Sequence, residues 1–141
     1  MAEFLPAWVV VGAECLLTWG IRDEHVEKMT VTKITPTGQV VLNGNSKGER
    51  RFMLRDFAAD GHAHKWPSAG STFSSGSLDL YPMDHEKVPR IIAQWERNRT
   101  WGRVRAAIDR LERSKSVADG AVLVDTLSAW RRAEENLSAL S

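Results

Sequence analysis

Apolar and polar positions alternate over short stretches in the first half of the chain. Residues 26–34 (VEKMTVTKI) are rich in β-branched side chains, and Met29 and Val31 share one parity, which is typical of a strand. Thr35-Pro36-Thr37-Gly38 follows, and its proline and glycine positions favour a tight turn. We therefore predict a hairpin here and further strands at residues 13–19, 39–42, 49–54 and 77–81.

The alternation stops between residues 56 and 76. This segment contains three glycines, one proline and a serine-rich tract (SAGSTFSSGS). Such a composition predicts a long surface loop, and a long loop in a small domain is often a contact surface.

In the second half, apolar residues recur at helical spacing. Two stripes precede residue 112, and they are out of phase across Gly102, so the helix either breaks there or shifts its buried face. A last helix follows Ser116, which has capping-box spacing to Asp119. The stripe residues are Val88, Ile92 and Trp95, then Trp101, Val104, Ile108 and Leu111, and finally Leu127, Trp130, Ala133, Leu137 and Leu140.

These patterns together predict an α+β fold. We expect a small SH3-like antiparallel β-barrel of about five strands over residues 1–83, with its long loop at 56–76. Residues 84–141 are expected to form a helical hairpin. Because its apolar stripes need a partner, the hairpin should pack either on the barrel or on a second copy of the chain, giving a monomer or a homodimer.

Composition narrows the function classes more than it identifies one. The chain has 141 residues, a hydrophobic share of 43%, a net charge of +1 and a single cysteine. One cysteine excludes an internal disulfide and a cysteine-rich zinc site. No phosphate-binding loop or nucleophile elbow is present. We therefore expect a protein that is not an enzyme and that carries no cofactor.

Positive charge is concentrated between residues 86 and 115, where nine basic residues face four acidic ones. Arginine dominates, and arginine suits phosphate, carboxylate and aromatic stacking. A solvated helix face with ion pairs such as Asp109 with Arg113 would explain the same charges. The candidate contact residues for a partner or a nucleic acid are Arg97, Arg99, Arg103, Arg105, Arg50, Trp95 and Trp101.

A second candidate surface lies in the segment 56–76, where His62, His64 and Trp66 are close in sequence. A His-x-His pair on a strand would place both imidazoles on one side, as metal sites require. Here the pair is expected in a glycine-containing loop, and although Asp60 and His85 are candidates, no second ligand pair has a suitable spacing. The sequence therefore favours a polar contact loop over a metal site.

A set of short segments in the first half of the chain matches a known family. The matching segments are Val11-Gly12, Val31-Thr32-Lys33-Ile34, Gly38, Val40-Val41-Leu42 and Arg51-Phe52. Through them, the segment from Val11 to Leu54 resembles small β-barrel proteins of unknown function from actinobacterial phages and mobile elements. The resemblance covers roughly the first two-thirds of the chain, and Trp95 to Arg105 is similar to the basic helix of those proteins. It implies the barrel fold and a phage origin, and it transfers no functional residue.

Three hypotheses about function remain open at this point. The first is a phage-type accessory protein in the cytoplasm of the bacterial host, which binds and modulates a host macromolecule, most readily a protein. The second is a nucleic-acid-binding module that uses the basic helix. The third is a small-ligand-binding protein or an enzyme with a site at the barrel mouth. No membrane association is expected, since Glu14 ends the apolar N-terminal run far short of a bilayer span.

Overall fold

Six strands and two long helices follow one another along the chain in a computed structural model that describes residues 4–19, 25–44, 49–66 and 77–140. The chain divides into two compact units, Met1–Val88 and Pro89–Ser141. The strands are β1 (Glu14–Trp19), β2 (His25–Ile34), β3 (Val40–Asn43), β4 (Arg50–Phe52), β5 (Ala63–Lys65) and β6 (Leu78–Pro82), and the helices are α1 (Val88–Ser114) and α2 (Val117–Ala139).

The six strands form one antiparallel sheet in the order β4-β3-β2-β1-β6-β5. The sheet curls into a nearly closed barrel. Its two edge strands approach each other, since the side chain of Lys65 on β5 reaches the main-chain carbonyl of Arg51 on β4. The Lys65 ammonium also lies over the Phe52 ring, 4.9 Å from its centroid. The predicted α+β fold with an antiparallel barrel is therefore confirmed, with one strand more than expected.

The interior of the barrel is filled by the residues that alternate inward along the strands. Leu42 and Phe52 are completely buried, and Leu17 is 1% exposed. Cys15 lies in the same core, where burial raises the pKa of its thiol to about 12. The cysteine is thus a small hydrophobic core residue and not a nucleophile.

The hairpin predicted between β2 and β3 is present. The Gly38 N–H donates to the Thr35 carbonyl at 3.0 Å, and the Thr35 hydroxyl accepts from the Gln39 N–H at 2.9 Å. Gly38 has a φ of +87°, a left-handed conformation that a residue with a Cβ rarely adopts.

The loop predicted at residues 56–76 is only partly correct. Residues 63–65 form strand β5, which pairs with β6, and a short 3-10 helix, Leu54–Asp56, precedes the segment. The three-residue strand has too few positions to show alternation, and its glycine and serine neighbours hide it. Residues 67–76 lie outside the described residues.

Helix α1 runs without a break through Gly102. The two out-of-phase stripes therefore reflect a change of buried face. Beyond Gly102 that face carries Val104, which is 1% exposed, and Ala107, which is 5% exposed. A continuous helix is possible because its main-chain hydrogen bonds do not depend on the side chain at 102.

Helix α2 runs antiparallel to α1 and forms the predicted hairpin with it. The Trp101 and Trp130 rings lie 5.4 Å apart, and Arg97 reaches Glu134 at 3.7 Å, so residues early in α1 meet residues late in α2. Ser116 caps α2 by accepting a hydrogen bond from the Asp119 N–H at 3.1 Å, as its spacing predicts. Neither described helix is both long and apolar enough to cross a bilayer.

Candidate functional site

Two histidines and one aspartate meet on the wall of the barrel. The Nε2 of His62 lies 2.8 Å from Oδ1 of Asp79, and the Nδ1 of His64 lies 2.8 Å from the same oxygen. These three atoms all lie within 4.8 Å of one another. Because the oxygen belongs to a carboxylate, each imidazole must donate the hydrogen of these bonds.

The pairing of β5 with β6 brings these side chains together. His64 is directly opposite Asp79 in the register, and the neighbouring pair, Ala63 and Leu80, is buried in the core. Side chains alternate between the two faces of a sheet, so the histidines and Asp79 lie on the outer face of the barrel wall. Neither histidine therefore points into the interior of the barrel.

A second layer of side chains fixes the orientation of His62. Its ring stacks on Tyr81 with centroids 4.5 Å apart and planes only 7° from parallel. Its main-chain N–H donates to Oδ1 of Asp60 at 3.0 Å, and the other oxygen of Asp60 lies 3.1 Å from Nε2 of His85. His62 is thus held from its ring face and from its main chain.

The two contacts of His85 identify its tautomer. Its Nδ1 accepts a hydrogen bond from the Lys87 N–H at 3.1 Å, so the hydrogen of the neutral ring must lie on Nε2. Nε2 then donates to Asp60. Since both ring nitrogens are engaged and only 6% of the side chain is exposed, His85 supports the cluster without being an open ligand.

The two aspartates of this region are both held in the ionised form. The hydrogen bond from the His62 N–H, helped by the one from His85, holds the pKa of Asp60 below its usual value. Burial alone would raise the pKa of Asp79, but the hydrogen bonds from His62 and His64 outweigh that effect and lower it.

Sequence reasoning found the two histidines but missed Asp79 and Tyr81. The detectable feature was the alternation SLDLY at residues 77–81, which puts Asp79 and Tyr81 on one face and Leu80 on the other. Trp66 is 72% exposed and meets the His64 ring edge-on at 5.5 Å. The described end of the segment that was expected to be a contact loop therefore forms a cluster of aromatic and charged side chains.

The arginines expected on the basic helix are divided by the structure into two kinds. Arg97 contacts Glu134 at 3.7 Å, and Arg99 contacts Glu96 at 3.7 Å while its guanidinium lies over the Trp95 ring. These internal contacts reduce the positive charge that a partner could meet. The ion pair expected between Asp109 and Arg113 is absent, because Arg113 donates to the Asp109 carbonyl at 3.3 Å instead.

Arg103 and Arg105 are exposed, and neither makes an ion pair with another described residue. Arg50 and Arg51 on β4 are both exposed. Arg50 shares the parity of buried Phe52, but it begins the strand at the end of the barrel, where no core covers it. Arg51 is paired with Glu49 at 2.8 Å.

The helical unit also exposes apolar side chains beside these arginines. Trp101 is 43% exposed, Ile108 is 36% exposed and Leu127 is 40% exposed. Trp101 lies against Trp130, which is three residues beyond Leu127, and Ile108 follows Trp101 by two helical turns. The four residues therefore lie on one side of the hairpin, which we call the apolar side (Trp101, Ile108, Leu127 and Trp130).

Comparison with protein-family models, with curated proteins and with solved structures finds no match to this chain. The resemblance to phage and mobile-element barrels thus stays a prediction. Function is therefore inferred from the chemistry of the two surfaces described above.

Proposed function

We propose that this chain is a non-enzymatic binding protein whose partner is another protein, recognised through the apolar side of its helical hairpin. The observation that carries this proposal is the exposure of Trp101, Ile108 and Leu127 together on that side. Contiguous exposed apolar side chains are typical of protein–protein contact surfaces, and tryptophan is enriched among the residues that dominate binding energy.

The arginine contacts favour a protein over a nucleic acid. Affinity for nucleic acid grows with the number of phosphates that unpaired cations can neutralise. Arg97 and Arg99 are already opposed by Glu134 and Glu96, which leaves fewer cations for phosphate than the sequence suggests. Because the apolar side of the hairpin is neutral, it does not contribute to binding the phosphate backbone of a nucleic-acid duplex.

The chemistry beside the apolar side specifies the partner further. Arg105 follows Trp101 by four residues and precedes Ile108 by three, so it borders this side on the helix surface. Arginine without an internal ion pair suits a carboxylate of a partner. We therefore expect a protein surface with apolar side chains at its centre and acidic residues at its rim.

The partner is further expected to come from the bacterial host of a phage. The sequence resemblance implies a phage-type accessory protein with an SH3-like barrel, and a protein of the bacterial host is then the expected partner. A second copy of the chain is the alternative occupant of the same side.

An affinity capture with matched variants tests this proposal. A protein captured from host lysate is purified, and its binding to the wild-type chain is measured by calorimetry. Leu127→Glu with Ile108→Glu should weaken that binding at least tenfold, because charges would be buried in the contact. Arg110→Glu, a charge change away from the apolar side, serves as the matched control.

Three results would contradict the proposal. Capture that disappears after nuclease treatment would favour the nucleic-acid hypothesis, especially if binding falls steeply with salt. Binding that is equal in the wild type and in the double variant would remove the apolar side from the contact. A stable homodimer by light scattering that dissociates in the double variant would show that a second copy, and not a host protein, occupies this side. Far-UV circular dichroism checks that each variant remains helical.

A further inference from the structure

We infer that His62, His64 and Asp79 form a binding site for a divalent first-row transition metal, of which Zn²⁺ is the test case. This inference is independent of the proposed protein partner. It rests on the convergence of two imidazole nitrogens and one carboxylate oxygen, all within 4.8 Å of one another, on adjacent strands. Imidazole nitrogens and carboxylate oxygens together are common ligands of Zn²⁺ and Fe²⁺.

The distances match the entry of an ion with small movements. In a tetrahedral site with metal–ligand bonds of about 2.0–2.2 Å, ligand atoms are about 3.3 Å apart. Both imidazole nitrogens lie 2.8 Å from the Asp79 oxygen, so each of these contacts must widen by about half an ångström, and the two nitrogens, which lie within 4.8 Å of each other, must settle at a similar spacing. Side-chain rotations of this size leave the paired main chain of β5 and β6 in place.

Metal binding requires one hydrogen to move within each imidazole ring. The hydrogens that His62 Nε2 and His64 Nδ1 donate to Asp79 must leave those atoms, because a nitrogen binds a metal through its lone pair. In each neutral imidazole the hydrogen moves to the other ring nitrogen. The carboxylate of Asp79 then contributes its charge to the ion in place of two hydrogen bonds.

The surroundings hold one of the ligands in place. The His62 ring is oriented by stacking on Tyr81, and its main chain is held by Asp60, which His85 holds in turn. These contacts limit rotation of the His62 side chain and so pre-orient it for binding. The side chains of His62 and Asp79 are only 21% and 17% exposed, which limits competition from water.

One side of the cluster remains accessible to a further ligand. The His64 side chain is 43% exposed, whereas His62 and Asp79 are largely covered. Three protein ligands with an accessible position are typical of sites at which a metal also holds water or an external ligand. The site would thus take a water molecule, or a carboxylate or imidazole of a partner, as its fourth ligand.

Titration of the untagged, chelator-treated full chain with Zn²⁺ alone tests the inference. Calorimetry should show one ion per chain in wild type. We expect His64→Ala and Asp79→Asn each to weaken binding by about tenfold or more, the range that loss of site groups produces. His25→Ala is the matched control, because His25 stacks on Trp19 outside the cluster, and its affinity should equal wild type.

A second measurement keeps the test decisive if a variant is unstable. Nitrogen-15 NMR of the wild-type histidines should show the hydrogens of His62 Nε2 and His64 Nδ1 moving to the other ring nitrogens when Zn²⁺ is added, while His85 keeps its tautomer. Absence of Zn²⁺ binding, binding that both variants retain in full, or unchanged histidine tautomers in the zinc-bound protein would each overturn the inference.

Discussion

The barrel and the helical hairpin are stabilised in different ways. Eleven described residues form a continuous core inside the barrel, and several of them are completely buried. Among the described residues of the helical unit, the deeply buried apolar side chains are Val104, Ala107 and Ala133, two of which are alanines. The barrel therefore depends on close packing between distant segments, whereas the helices share a much smaller buried interior.

This difference separates the two candidate surfaces by their rigidity. The histidine cluster lies on paired strands whose opposite face is the core, so its atoms are held in position for a small ion. The apolar side of the hairpin lies on helices with a thin shared interior. A surface of that kind can adjust to a large partner, which a metal site must not do.

The largest effect should come from opening the barrel core. Phe52→Ala removes a completely buried ring that packs near Phe57, with centroids 6.4 Å apart. We expect the free energy of unfolding of the barrel to fall by about 3–5 kcal/mol, measured by urea denaturation. A loss below that of the helical variant described next would show that core packing does not stabilise the barrel more than the hairpin.

A smaller loss is expected from the helical unit. Val104→Ala deletes two methyl groups from a side chain that is 1% exposed between the helices. We expect the hairpin to lose about 1–3 kcal/mol, because the interior there is thin and can partly collapse. Amide hydrogen exchange read separately on helix and strand residues measures the effect. Equal protection losses in the strands would contradict an effect confined to the hairpin.

The histidine cluster should add a pH-dependent contribution to the barrel. The folded-state pKa of Asp79 lies below its ordinary value of 3.8, so its stabilising effect is present above that pH and is lost as the pH falls through the lower, folded-state pKa. Asp79→Asn should therefore cost about 1–2 kcal/mol at pH near 7 in metal-free protein.

Denaturation of the wild type and of Asp79→Asn at neutral and acidic pH checks this prediction. The two proteins should converge in stability at acidic pH, since the wild-type carboxylate is then protonated in both states. A difference that stays constant down to strongly acidic pH would show that Asp79 stabilises the barrel through packing and not through its charge.

The smallest effect has the opposite sign. Gly102 lies inside the continuous helix α1, and an added Cβ would meet nothing within 4 Å. Gly102→Ala should stabilise the hairpin by about 0.5–1 kcal/mol, because alanine loses less conformational freedom on entering a helix. Thermal melting followed at helical wavelengths measures the change. Destabilisation would indicate that a partner or another surface approaches this position closely.

The sequence was sufficient for elements whose pattern repeats over several residues. Strand β2 has ten residues, is rich in β-branched side chains and alternates around Met29 and Val31, and the Thr35 to Gly38 turn has residue types that only a few turn shapes accept. Strand β5 has three residues in a glycine- and serine-rich setting, so its pairing with β6 depends on tertiary structure. Such pairing carries no local pattern.

The candidate site shows the same division. His62 and His64 are two residues apart in sequence and could be identified, but their common partner, Asp79, is 17 residues from the first of them. Only the register of β5 on β6 brings the three together. For the arginines, the sequence predicted exposure but could not show that Glu134 on the second helix would oppose Arg97, because that contact depends on helix packing.

The single thiol of the chain offers an internal reporter of barrel opening. Cys15 is fully buried between its neighbours, so a thiol reagent can reach it only while the strands are separated. The labelling rate of unmodified protein would then give the frequency of that separation, without any engineered probe. A bound metal ion on the outer wall should slow this labelling, whereas a protein docked on the helices need not.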